Sequence, residues 1–140
     1  MRALILNSGI GKRMGNLTKA RPKCMTAINE EETILSRQLN LLYQCGVKQV
    51  VNTTGPFSKE LIDYCNLLNT PIKIIFVNNP IYESTNYIYS IYIARKYLED
   101  DIVLMHGDLV FEIGILDDML KRAYSCMAVS SVLPLPLKDF

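Results

Sequence analysis

The 140-residue chain has no cysteine pair at metal-binding or redox spacing and only one histidine. Cys24, Cys45, Cys65 and Cys126 stand far apart, and His106 has no second imidazole to join it, so the ligand spacing of a zinc site is absent. The thiols are expected to be reduced and mostly buried, as free cysteines commonly are. Long apolar runs are missing as well. None approaches the roughly 18 to 20 residues needed to span a bilayer, and the opening run over residues 3–6 is too short for the core of a signal peptide. The expected location is therefore the cytoplasm, with no membrane partner. Seven glycines and six prolines are scattered rather than clustered, and 49% of residues are hydrophobic against 21% charged. That balance excludes collagen-like and disordered classes, and the length allows one domain at most.

Acidic residues are absent from the first 29 positions, which hold Arg2, Lys12, Arg13, Lys19, Arg21 and Lys23. The net charge of +1 thus divides into +6 on that segment and −5 on the rest. A positive field confined to one early loop indicates a local polyanion site. A nucleic-acid duplex needs a longer basic face, and the remainder of the chain is acidic, so a small phosphorylated ligand fits better.

Along the chain, residues 1–7 form an apolar strand that ends in a loop holding Gly9, Gly11 and Gly15. Thr33 can cap a helix with apolar residues at three- and four-residue spacing, ended by Gly46. Residues 47–53 predict a second strand, 57–68 a helix and 72–77 a buried third strand. Ser84, Thr85 and Asn86 are candidate caps for a helix over about 87–98. Residues 102–106 predict a fourth strand, 113–124 a helix and 127–133 a fifth strand. Strands alternating with helices, and apolar without strict alternation, predict an α/β fold with a mostly parallel sheet covered on both faces. Ligands of such sheets sit at the carboxyl ends of the strands.

The run from Gly9 to Gly15 places glycines where a strand ends, so the backbone can approach a phosphate and offer N–H donors. It is not a Walker A loop, and it misses the dinucleotide-binding spacing by one residue. Nor does the second strand end in the acidic residue that a dinucleotide fold requires. The wider pattern is more specific: Gly9, Gly11, Arg13 and Met14, then Thr18, then Pro22 and Lys23, so that cations flank a phosphate cradle.

This pattern resembles the opening of the nucleotidyltransferases that couple a nucleoside triphosphate to a sugar phosphate or to choline phosphate: a strand, GxGxRM, a Thr, then PK. The usual Ala-Ala before the first glycine is here Asn7-Ser8. The resemblance implies a three-layer Rossmann-like, glycosyltransferase-A-like fold. It implies that the loop backbone and Arg13 hold the β- and γ-phosphates while Lys23 lies over the α-phosphate and the acceptor phosphate, and it makes Asn7, Ser8, Gly9, Gly11 and Lys12 nucleotide-binding residues.

Asp108 ends the fourth strand after Gly107, aimed at the same sheet edge as the glycine loop. One carboxylate with phosphate oxygens suits Mg²⁺, and the resemblance makes Asp108 its ligand. His106 is expected to be a packed side chain. Sugar-phosphate members read the base with a Gln followed by a Gly in the segment after the third strand. Here Asn79 stands for the Gln and Ser84 or Thr85 for the Gly, with Asn86 beside them, which makes the cytidylyltransferases of choline phosphate or aminoalkyl phosphonates the closer likeness. Tyr82, Tyr87, Tyr89, Tyr92 and Tyr97 lie in or after this segment and are expected mostly to pack a helix onto the sheet. The expected reaction is attack by a phosphate or phosphonate oxygen of a small acceptor on the α-phosphorus of CTP, with release of pyrophosphate. Uridylyl or guanylyl transfer to a sugar 1-phosphate shares every motif but the base- and acceptor-reading segment. A nucleotide-binding module without turnover is the reading from another class. Family members run on past the equivalent of Phe140, so residues 1–140 are expected to be the N-terminal nucleotide-binding part of a single domain, truncated at its C-terminus and weak in turnover. Oligomeric state is not legible.

Overall fold

The structure is a computed structural model that describes residues 1–11, 15–16 and 19–130. They fall into two compact units, residues 1–110 and the residues from 111 onward. The first unit contains β1 (Arg2–Leu6), α1 (Ile34–Gln44), β2 (Gln49–Thr54), α2 (Ser58–Leu67), β3 (Lys73–Asn78), α3 (Tyr87–Ala94) and β4 (Ile102–His106). Its sheet has the order β3-β2-β1-β4, and all pairings are parallel. This is the expected α/β architecture.

Strand order fixes where the helices lie. The steps β1 to β2 and β2 to β3 run one way along the sheet, and β3 to β4 runs back past both. Right-handed crossovers then put α1 and α2 on one face and α3 on the other. The α3 face is packed by Leu4, Leu6 and Val51 against Ala94, with Val77, Ile91, Tyr97, Leu98 and Ile102 around them. By the two-residue alternation of a strand, Ala3, Ile5 and Val50 point the other way. They too are fully buried, as are Leu35, Leu39 and Leu42 of α1 and Leu61 of α2. Burial on both faces is why these strands are apolar throughout rather than alternating.

The cap on α1 is the predicted Thr33. Its hydroxyl accepts from the Ser36 backbone N–H at 3.1 Å, and Ser36 Oγ accepts from the Thr33 N–H at 2.9 Å, so two orphan donors are satisfied reciprocally. Of the three candidate caps for α3, Asn86 takes the position, accepting from the Ile88 N–H at 3.0 Å. The helix is shorter than expected and gives way to a 3-10 turn, Arg95–Tyr97.

In the second unit, α4 spans Ile113–Leu120, four residues short of the predicted end. The expected fifth strand is not formed over residues 127–130, where Met127 and Val129 are 80% and 77% exposed. Its remainder lies outside the described residues. β-branched composition marks a stretch suited to a sheet, but a strand exists only where a neighbour completes its hydrogen bonds.

The register brings Leu6, Thr53, Val77 and His106 into one row across the sheet. One step further on stand Asn78, Thr54, Asn7 and Gly107, and this row is polar and closely fitted. Asn7 Nδ2 donates to Asn52 Oδ1 at 2.8 Å, and the Asn7 N–H donates to Thr53 Oγ1 at 3.0 Å. A Cβ on Gly107 would lie 1.6 Å from Asn7 Oδ1, so the asparagine side chain fills the space that a larger residue at 107 would take. Gly107→Ala should therefore destabilise the fold by about 1–3 kcal/mol, through overpacking and loss of the buried amide pair. In an Asn7→Ala background the same change should cost much less. Urea unfolding of the four members of this cycle checks the coupling, and equal costs in both backgrounds would show that the two positions do not compete for space.

Candidate functional site

A cavity of about 340 Å³ opens at the carboxyl ends of β1 and β4, where the strand order reverses. Its wall includes Asn7, Ser8, Gly9 and Gly11 from the loop after β1, Lys23, Asn79, Thr85 and Asn86 before α3, and Asp108 after β4. A topological switch point is the expected place for a ligand in an open parallel sheet. Gly11 has φ 73°, in the left-handed region that glycine enters without strain. Lys12, Arg13, Met14 and Thr18 lie outside the described residues. Ser84 is exposed and does not line the cavity; its Oγ donates back to the Ile81 carbonyl at 3.2 Å.

Lys23 and Asp108, 85 residues apart, meet here. Lys23 Nζ donates to Asp108 Oδ2 at 3.0 Å, with the side chains 23% and 43% exposed. Partial burial works against the charged carboxylate, but the hydrogen bond and charge of Lys23 outweigh it and hold Asp108 below the usual carboxylate range. Lys23 opens a 3-10 turn, Lys23–Met25, set between the buried Pro22 and Cys24.

The loop between β3 and α3 is held from beneath. Asn79 is 1% exposed, and its amide is occupied: Nδ2 donates to Thr85 Oγ1 at 3.0 Å and to Ser90 Oγ at 3.2 Å, while Oδ1 accepts from the Ile81 N–H at 3.1 Å. Ser90, fully buried on α3, also shares a hydrogen bond of 2.6 Å with Ser8 Oγ. One serine thus ties the loop after β1 to the loop before α3. Sequence reasoning missed it because a serine inside an apolar helix carries no motif; a small polar residue on the buried stripe was the available signal. Asn52 was missed likewise, buried in mid-strand with its Nδ2 lacking a partner among the described residues.

His106 corrects an expectation. It is exposed and lines the cavity, edge-on to Tyr87 with ring centroids 5.3 Å apart. It closes β4, the edge strand of the sheet, where only β1 pairs with it. The tyrosines also divide differently from expectation. Tyr82 and Tyr87 line the cavity, Tyr97 packs on the core, and Tyr92 is exposed beneath the Arg95 guanidinium, 4.0 Å from the ring centroid. The helix is packed onto the sheet by Ser90, Ile91 and Ala94 instead.

The cysteines are free. Cys24 and Cys65 are buried, but Cys45 is half-buried and Cys126 exposed, so burial is less general than expected. Burial pushes the Cys24 thiol above its ordinary range and Cys65 up to about 12, which leaves neither as a thiolate nucleophile.

The sequence profile of the MobA-like NTP transferase domain matches residues 3–133. The chain belongs to this family. A CMP-5'-(3-aminopropyl)phosphonate synthase of Streptomyces rubellomurinus is 33% identical over 135 residues, which are 96% of this chain and 21% of that protein. Among solved structures, a CTP:phosphocholine cytidylyltransferase from Streptococcus pneumoniae superimposes with a TM-score of 0.65 at 26% identity, over 76% of this chain and 44% of that one. A UDP-glucose pyrophosphorylase complexed with UDP-glucose shares the fold, with a TM-score of 0.69 at 16% identity over 84% of this chain and 51% of that one. The chain spans about half or less of the length of these proteins. No helix among the described residues is long and apolar enough to cross a membrane.

The lowered Asp108 ionisation has a consequence for stability. Its unfolded value is about 3.9, so the carboxylate's contribution is present above that pH and is lost as pH falls through the lower folded value. The stability gap between the unmodified chain and Asp108→Asn should narrow between about pH 5 and pH 3 in urea unfolding. A gap that stays constant over that range would show that Lys23 does not hold the carboxylate.

Proposed function

We propose that this chain binds CTP and carries the nucleotide-handling residues of cytidylyl transfer to a small acceptor bearing a phosphate or phosphonate, such as choline phosphate or an aminoalkyl phosphonate. The observation that carries this reading is the Lys23–Asp108 pair at 3.0 Å on the wall of a cavity begun by Gly9 and Gly11. Family membership supports nucleotidyl transfer, and two of the relatives are named for CMP or CTP chemistry with phosphonate or phosphocholine.

In the proposed reaction an acceptor oxygen forms a bond to the α-phosphorus as the bond to pyrophosphate breaks. The acceptor oxygen is already anionic, so no general base is needed. Two polyanions must be brought together, and the work is positioning and charge neutralisation. The Lys23 ammonium has three N–H groups, of which Asp108 takes one, leaving donors for phosphate oxygens. Gly9 and Gly11 let the loop backbone approach the phosphates closely, with Asn7 and Ser8 fixing where that loop begins. Lys12 and Arg13 are proposed to complete the cradle. Thr85 and Asn86 present polar groups on the base side, and Asn79 orders that loop from beneath.

Asp108 fits a magnesium ligand: it is a charged carboxylate, partly exposed, in the wall of the same cavity. Among the described residues no three His, Cys, Asp or Glu side chains gather to hold a metal by themselves. One carboxylate with phosphate oxygens and waters is a coordination set that magnesium accepts. When bound, magnesium would neutralise phosphate charge.

Lys23→Ala should lower affinity for Mg²⁺–CTP by at least tenfold, while the lost ion pair costs the fold within about 1 kcal/mol. Calorimetry beside thermal unfolding checks both halves, and unchanged affinity would remove Lys23 from the site. Across CTP, UTP, GTP and ATP with Mg²⁺, CTP should give the largest thermal stabilisation, followed by slow pyrophosphate release when an acceptor is added, as expected of part of a catalytic domain. Equal or greater stabilisation by UTP or GTP would transfer the reading to sugar-phosphate nucleotidyl transfer. Binding with no pyrophosphate released in the presence of any of these acceptors would leave a nucleotide-binding module.

A further inference from the structure

Gln38 stands at the centre of the buried stripe of α1, among Leu35, Leu39 and Leu42, and is 1% exposed. Its Nε2 donates to the His106 carbonyl at 3.0 Å and to the Leu109 carbonyl at 2.8 Å. These two carbonyls flank Gly107-Asp108, so one amide group grips the turn that presents the carboxylate at both of its ends. The same turn is held on its inner side by the Gly107 N–H donating to the Leu6 carbonyl at 3.1 Å, and it closes on itself through the Leu109 N–H and His106 carbonyl at 3.3 Å.

A helix that only needed to cover the sheet would place a leucine here. Burying glutamine restricts a flexible side chain and leaves its Oε1 without a partner among the described residues. Both costs are avoidable, and the two bonds to the turn are what glutamine provides in return. The opposite half of the site is also tied to α1. The Ile34 N–H at the helix start donates to the Thr26 carbonyl at 3.0 Å, and the Thr26 N–H donates to the Lys23 carbonyl at 2.9 Å. One helix therefore carries attachments to both members of the Lys23–Asp108 pair.

We propose that Gln38 is a positioning residue for Asp108, setting the place of the site carboxylate relative to Lys23 and hence to the metal-bound phosphates; this rests on the functional reading above. The grip acts through the backbone, and Gln38 itself touches no ligand.

The test compares Gln38→Met, which keeps most of the side-chain volume and removes both bonds, with Leu39→Ala, a core truncation on the same helix that leaves the turn's bonds intact. In Gln38→Met, amide hydrogen exchange at Asp108 and Leu109 should accelerate at least tenfold relative to Leu39→Ala. The Mg²⁺ concentration giving half-maximal CTP binding should rise several-fold, with metal-free CTP binding unchanged. Leu39→Ala should lower the unfolding temperature without either effect. Equal responses from the two variants, or an unchanged turn in Gln38→Met, would overturn the proposal. If Gln38→Met does not fold, Gln38→Asn, which keeps an amide but shortens its reach, takes its place. Failure of both to fold would make Gln38 a requirement of the fold as a whole and overturn the site-specific role. Exchange that accelerates as expected, in a chain whose unmodified form binds no nucleotide with Mg²⁺, would overturn the functional reading and the role toward the metal with it.

Discussion

The site depends on the fitting of Asn7 between Asn52 and Gly107. Parallel strands end with backbone groups and side chains aimed at whatever lies beyond the sheet, and polar side chains buried there need partners among themselves. Here the Asn7 amide bonds Asn52 while its oxygen fills the space over the Cα of Gly107. Ser8 is seated in the same way: a Cβ on Gly55 would lie 2.3 Å from the Ser8 carbonyl oxygen, and Ser8 Oγ bonds Ser90. The two residues that open the glycine loop are thus fixed by β2, β4 and α3 together. A loop anchored on three elements can place its glycines against a ligand with little reorganisation, which is the physical content of preorganisation.

This layer also explains why Asn7-Ser8 works where the resembling family has two alanines. Two polar residues would each cost free energy at a buried strand end if left alone. Asn52, Thr53, Gly107 and Ser90 supply partners or room, and they are distant in sequence. No local pattern relates position 7 to positions 52, 90 and 107, so the substitution looks like a departure in the sequence and like a set of mutually fitted side chains in the fold.

The same contrast separates what was legible from what was not. The strand–glycine-loop opening, the Pro22-Lys23 pair and the Gly107-Asp108 strand end are short-range patterns, and they led to the fold, to the cavity and to the two residues that meet in it. Thr33 and Gly46 bounded α1 because caps are local chemistry. Residues 127–133 suggested a strand by propensity alone, and propensity does not supply a pairing partner. Gln38, Asn52 and Ser90 were invisible for the opposite reason: each is a buried polar residue whose purpose is defined by a side chain or carbonyl on another element. Asn79 lay between these cases. Its position was legible, but its amide is committed to Thr85 and Ile81 in its own loop and to Ser90 on α3, partners that no local pattern names.

Presenting a lysine accurately is a harder problem than presenting a carboxylate, because its long side chain carries about 2 kcal/mol of rotamer entropy. The Pro22-Lys23-Cys24 sequence addresses it at the backbone. Pro22 is buried with φ −68° and ψ 155°, an extended conformation that a proline adopts without cost, and Cys24 is fully buried immediately after. Lys23 is thereby held between two anchored neighbours, with only its side chain left to order. Burial keeps the Cys24 thiol protonated and neutral, so it serves as a small plug and does not compete with Asp108 for the ammonium. The remaining freedom of the lysine is taken up by its bond to Asp108, whose own turn is gripped by Gln38. Each member of the pair is thus located through the backbone first, and the ion pair, half in water and weak by itself, has only to align two groups already brought within reach.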